Sequence, residues 1–188
     1  MLTGALAVAA LAACGPDSES YTPSTGTGTE NAAAAATGRD GCLIGTWKVD
    51  VPDMARQAAG LMRQTGAEGT GTGDITLVFG DQMSITYNNA VIAITTPMGS
   101  GLSMKITSTY TGTASSTDWQ AKEGKLGGTM PTNTVTNTMV ASVGGQTVAM
   151  PTIPFSGALD MSQGTLSYTC AGSSATLTGP VTWKLTKA

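Results

Sequence analysis

The chain has 188 residues, with 25 glycines, 32 threonines and no histidine, and 11% of its residues are charged. Nine basic residues against twelve acidic ones leave no electrostatic footprint for nucleic acid. The absence of histidine excludes Ser-His and Cys-His catalysis and any His-ligated metal. The charge is unevenly placed. Residues 14–40 hold Asp17, Glu19, Glu30 and Asp40 against Arg39, whereas residues 41–188 balance eight acids with eight bases. A neutral domain steers no charged partner over long range.

Taken in chain order, the first element is an apolar run from Leu2 to Leu11. It falls well short of the roughly 20 residues that a membrane-spanning helix needs, and it fits the core of a secretory signal peptide. Leu11-Ala12-Ala13-Cys14-Gly15 follows directly. This resembles the lipobox of bacterial lipoproteins: a branched apolar residue, two small ones, and the cysteine that receives diacylglycerol. The resemblance implies a signal peptide over 1–13 and a palmitate-type acyl anchor on Cys14 in the lipid bilayer. It places the mature chain in the cell envelope, outside the cytoplasm. Gly15 is not the aspartate associated with inner-membrane retention, so an outer-membrane location is open where the cell has one. Residues 15–40 are rich in Gly, Ser, Thr, Pro and Ala and bury too little surface to offset ordering entropy, which predicts a flexible tether over 14–40.

With Cys14 acylated, Cys42 and Cys170 remain as an even pair in an exported chain, and a disulfide between them is expected. It would close a loop of about 128 residues and contribute roughly 5 kcal/mol at most through the unfolded state. Neither thiol has a histidine to activate it.

The domain over 41–188 reads as short strands with period-2 alternation, separated by Gly, Pro or Asn. Expected strands are 43–50, 74–79, 82–87, 90–95, 102–111, 114–121, 134–143, 146–150, 165–170, 175–177 and 181–186. The exception is Pro52–Gln64, where Pro52 suits a first helical turn and Met54, Ala58, Leu61 and Met62 share a face. Gly69, Gly71 and Gly73 lack the Lys-Ser/Thr of a phosphate loop and read as a linker. The pattern predicts an all-β fold, an up-and-down antiparallel barrel of about 8–10 strands with one short helix after the first.

Gly45-Thr46-Trp47-Lys48 on the first strand, followed by the helix and antiparallel strands, resembles the calycin group of lipocalins, fatty-acid-binding proteins and avidins. The resemblance makes Gly45 and Trp47 structural, and it sets the closing Val181–Lys187 strand beside the first. In lipocalins a late-strand arginine stacks on the tryptophan, a departure here, where only Lys184 is available. Arg56 and Arg63 both fall on the helix, so a neutral apolar ligand fits better than a fatty acid.

Candidate ligand contacts are Met54, Leu61, Met104, Tyr110 and Met139, since methionine lines adaptable apolar cavities as readily as it fills cores. Asp118 and Glu123 flank Trp119 and are the one local group of carboxylates, but nine aromatics in the whole chain make a glycosidase rim improbable. The leading expectation is a lipid-anchored carrier of an apolar small molecule or lipid. It would not be an enzyme and would need no cofactor or metal. The alternative is a structural or protein-binding module, such as an enzyme inhibitor, with a filled core.

Overall fold

A computed structural model describes residues 38–149, 159, 161 and 166–188. The signal-peptide segment, Cys14 and most of the expected tether lie outside them. Twelve strands form one antiparallel sheet: β1 (Gly45–Val49), β2 (Glu68–Phe79), β3 (Met83–Gly99), β4 (Leu102–Ser116), β5 (Gln120–Lys122), β6 (Lys125–Gly127), β7 (Thr132–Asn133), β8 (Thr136–Val143), β9 (Gln146–Ala149), β10 (Leu166–Ala171), β11 (Ser174–Thr178) and β12 (Thr182–Lys187). One helix, α1 (Val51–Leu61), follows β1. The all-β expectation with a single early helix holds at this level.

The strand order is β5-β6-β10-β11-β12-β1-β2-β3-β4-β8-β9, with β7 beside β4. As expected, the last strand pairs with the first, Trp47 opposite Lys187. Two features depart from a closed meander. The β5–β6 hairpin leaves the sequential order and pairs with β10. No ladder joins the two ends of the sheet among the described residues, so it is not closed into a barrel. β4 and β5 nevertheless lie three residues apart in the chain, so the ends of the β5-to-β4 path are close.

β3 and β4 are each one long strand where shorter ones were expected: in β3, Asn88-Asn89 is a bulge and not a turn, and β4 runs unbroken through Gly112 and Thr113 to Ser116, while the end of the expected 114–121 strand falls in β5. β3 carries one residue more than either neighbour: Tyr87 pairs with Gly112 and Ala90 with Tyr110, while Asp74 pairs with Asn88 and Thr72 with Val91. The extra residue resets the alternation. Inward positions are Met83, Ile85 and Tyr87 before it, and Ala90, Ile92 and Ile94 after it. Gly73 makes room, since a Cβ there would lie 2.1 Å from the Asn89 carbonyl oxygen.

The glycines expected to form a linker are instead the N-terminal half of β2, and their missing side chains are the reason. A Cβ on Gly69 would lie 1.9 Å from the Ala55 carbonyl oxygen, and one on Gly71 would lie 2.3 Å from that of Val51. The helix backbone therefore rests directly on the strand. Asp50 caps α1 by accepting from Asp53 N at 2.8 Å, as Pro52 in the first turn anticipates. The helix ends at Leu61, three residues before the expected Gln64.

The core gathers Trp47, Trp119, Trp183, Phe79, Leu77, Met83, Leu126 and Leu177, all fully buried. Trp47 is structural, its Nε1 donating to the Leu43 carbonyl at 2.7 Å. The cation over its ring is Lys187 at 5.5 Å, because the β1–β12 register sets Lys187 directly opposite.

The Cys42–Cys170 disulfide is present, with Cα atoms 6.1 Å apart, and ties the turn before β1 to β10, three strands away. The fold also reaches further toward the N-terminus than residue 41. Arg39 lies over Trp119 at 5.0 Å and donates to the Asp81 carbonyl at 2.8 Å. Ala121 N donates to the Gly38 carbonyl, and Tyr168 donates to Asp40 at 3.0 Å.

The helix–strand contact yields a paired prediction. Gly71→Ala forces α1 off β2 and lowers unfolding free energy by about 1–3 kcal/mol. Gly60→Ala, in the helix with nothing within 4 Å of the added carbon, raises it by about 0.5–1 kcal/mol. Urea unfolding of the two variants against the parent measures both.

Candidate functional site

Seating α1 on β2 leaves a gap between its flank and the neighbouring β3–β4 sheet. Alternation on β3 turns Ile92 and Ile94 toward the helix, and β4 contributes Ile106, Ser108 and Tyr110 from the same face. Met54 and Ala58, one turn apart on α1, face them, and Pro180, Val181 and Trp183 close the side. The cavity is about 360 Å³, within the range of small-molecule sites. Small side chains make the space, since Ala58 and Ser108 stand where larger residues would fill it.

Among the described residues the lining carries no carboxylate, lysine or arginine. Its polar side chains are Ser108, Tyr87 and Tyr110, and the two tyrosine rings lie 6.0 Å apart. Burial, reinforced by the neighbouring Tyr110, raises the Tyr87 pKa above the ordinary phenol value. One strand further out, Asn137 sits opposite Tyr110 on the same face, 6% exposed, and its Oδ1 is buried without a hydrogen-bond partner. A buried unpaired acceptor costs about 1–3 kcal/mol and calls for a donor.

The expected ligand contacts divide. Met54 and Tyr110 line the cavity. Met104 and Met139 share the inward face of β4 and β8, in register with Val143 and Ser108, but they are half-buried and lie outside the lining. Leu61 is a correction: it is 60% exposed at the helix end, one turn beyond Ala58, where no strand covers it. Ile92, Ile94, Ile106, Ser108 and Trp183 were not anticipated as contacts. The strand at 90–95 and the helix were each legible, but that they face one another is decided by the tertiary structure.

One ionic cluster, extended by Gln57, holds the surroundings. Asp53 accepts from Lys184 Nζ and Arg56 Nη2 at 3.1 Å each and from Gln57 Nε2 at 2.7 Å. Gln57 also exchanges hydrogen bonds with the Thr182 backbone, so α1 is bound to β12 beside the cavity. The hydrogen bonds from Lys184 and then Gln57 hold the Asp53 carboxyl below the usual carboxylate range.

The Asp118–Trp119–Glu123 group does not assemble into a carboxylate pair. Asp118 is taken up by the Thr129 amide, the Ser116 hydroxyl and the Thr129 hydroxyl, which lower its pKa. Glu123 faces Lys122 at 3.7 Å, and Trp119 is in the core, donating to the Gly80 carbonyl. Asp40 lies within 4.8 Å of both disulfide sulfurs, but oxidised cysteines offer no thiolate to a metal.

On the opposite face an open polar groove of about 430 Å³ runs over Lys48, Asp74, Thr76, Thr86, Asn88 and Thr113. It follows from the threonine-rich outward positions of β2, β3 and β4. Comparison with protein-family models, with curated proteins and with solved structures found no match for this chain.

The Asp53 cluster predicts a pH dependence. A carboxyl with a depressed folded pKa contributes stability in full above its unfolded value of about 3.9, and that contribution is lost as pH falls through the folded value. Asp53→Asn should therefore lower stability at neutral pH by up to about 1 kcal/mol. The deficit should shrink below pH 4, as read from denaturant midpoints across the acid range.

Proposed function

We propose that this protein is a lipid-anchored cell-envelope lipoprotein that holds an uncharged, largely apolar small molecule between α1 and the β3–β4 sheet. The observation that carries this reading is the apolar cavity with no ionisable carboxylate, lysine or arginine in its wall. A ligand entering it gives up water over most of its surface, and desolvation supplies the affinity. A carboxylate head group would find no cation, since Arg56 is turned to Asp53. The best ligand class is therefore apolar and uncharged.

The calycin resemblance supports the same reading through its architecture. First and last strands pair, a helix follows the first strand, and Trp47 is buried beneath a late-strand cation. We read the β5-to-β4 path as a barrel-like wall whose ends are joined through residues 117–119. Anchorage through an acylated Cys14 rests on the lipobox resemblance, and the disulfide accords with an oxidising compartment.

Native mass spectrometry of the full chain, before and after delipidation, tests the carrier reading. A reproducible extra mass, extractable into organic solvent and absent from an Ala58→Trp variant that keeps its circular dichroism, is the expected result. A bare chain that takes up no envelope lipid would favour the protein-binding alternative.

A further inference from the structure

The apolar face that lines the cavity does not stop at its mouth. On β3 it continues from Ile94 to Thr96, beyond which Met98 stands in a second irregularity between Pro97 and Gly99, and on β4 it runs from Ile106 through Met104 to Leu102, opposite Gly99. On β8 it ends at Val143, which pairs with Met104. The helix follows the same course. Val51 sits over Gly71 and Ala55 over Gly69, so α1 advances along β2 toward the strand ends. At 1.5 Å per residue, Leu61 and Met62 reach about 9 Å beyond Ala55, level with the Thr96–Pro97 rows. Gly66, just after the helix, touches Pro97 at 3.1 Å from its added carbon position. Helix end and hairpin ends therefore form one tip.

That tip is where the molecule exposes its apolar side chains. Of seven large apolar residues that are exposed among the described residues, five are here: Leu61, Met62, Met98, Leu102 and Val143. Met98 and Leu102 are 57% and 51% exposed, and the turn between them, Gly99-Ser100-Gly101, carries no charge. The surrounding arm, residues 61–72, 90–111 and 136–149, contains Arg63, Lys105 and Glu68 as its only charged residues, a net positive balance.

We propose that this tip enters the surface of a lipid bilayer, so that the cavity opens onto the membrane that supplies its ligand. The inference rests on the carrier reading for its purpose but not for its geometry. A cluster of apolar side chains at the end of a hairpin pair, with basic residues behind it, is suited to the interface between head groups and acyl chains. The length of chain outside the described residues permits the orientation. The fold is joined at Gly38 and Arg39, beside the Gly80–Gln82 turn, whereas the tip is at the other end of β3. β3 has 17 residues, about 55 Å at most along its length. The segment from Cys14 to residue 37 spans up to about 80 Å when extended. An anchor at Cys14 and a tip in the same bilayer are therefore compatible in reach.

The test places an environment-sensitive fluorophore on the full chain at Met98→Cys and, separately, at Asp81→Cys in the opposite turn, with the native disulfide intact. Vesicles of zwitterionic lipid containing one-fifth anionic lipid, with or without brominated acyl chains, are the probe. Immersion predicts a blue shift and quenching by brominated lipid at Met98→Cys and neither at Asp81→Cys. Leu102→Asp, in the Met98→Cys background, should abolish the shift while native mass spectrometry finds the bound mass unchanged. A Met98→Cys label that stays in water beside vesicles overturns the proposal. So does a label already buried without vesicles, which would assign the tip to self-association. An empty cavity with an immersed tip would overturn the carrier reading alone, and a loaded cavity with a dry tip would overturn only this inference.

Discussion

The contact between the α1 backbone and the glycines of β2 is the constraint on which the rest of the structure depends. With Gly69 and Gly71 in the strand, the Ala55 and Val51 carbonyls come within van der Waals reach of β2, and no side chain stands between helix and sheet. Seated that low, α1 brings Met54 toward the core, Asp53 toward Lys184, and Ala58 toward β4. Its polar flank is then bound through Gln57 to the Thr182 backbone. Any side chain on the two glycines would lift the helix, and both the ionic cluster and the cavity wall would move with it.

The second organising feature is the single extra residue in β3. Without it the alternation that places Met83, Ile85 and Tyr87 inward would carry Ile92 and Ile94 to the solvent face. With it, one long strand serves two tasks. Its first half builds the tryptophan-rich core, and its second half builds the apolar face opposite α1. β4 matches it without a bulge, so the pair extends past the core as an arm that β8 and β9 widen. Cavity and tip are successive parts of that arm, and their apolar character has one origin in the parity of β3 and β4.

On the proposed function these features would serve an uncharged ligand. Charged side chains near the cavity are paired with each other: Asp53 with Lys184 and Arg56. The polar side chains of the lining are hydroxyls, those of Ser108 and the two tyrosines. Among the described residues one buried side-chain acceptor, Asn137 Oδ1, lacks a hydrogen-bond partner, and it lies on the same inward face but outside the lining. On this reading affinity rests on desolvation, and the exposed tip would set where the ligand is met.

Much of the fold was legible because alternation is a local property. The strands expected at 74–79, 102–111, 134–143 and 181–186, the helix with Pro52 in its first turn, the Cys42–Cys170 pair and the pairing of last strand with first could be read from residue order. What misled was also local. Asn88-Asn89 has turn composition yet sits inside a ladder, and the glycines at 69, 71 and 73 have linker composition yet form a strand, because a helix backbone presses on two of them. The cavity was half legible. Met54 and Tyr110 carried a signal, whereas Leu61, at the same helical spacing, lies past the last covering strand.

By itself the sequence determined the class of fold, the neutrality of the domain and the absence of histidine chemistry, since these depend on composition and on neighbours a few residues apart. Only the tertiary structure decided where the sheet ends, which isoleucines face the helix and which apolar residues reach water. Those outcomes depend on strand register and on the distance between two backbones, and neither is written in any single segment.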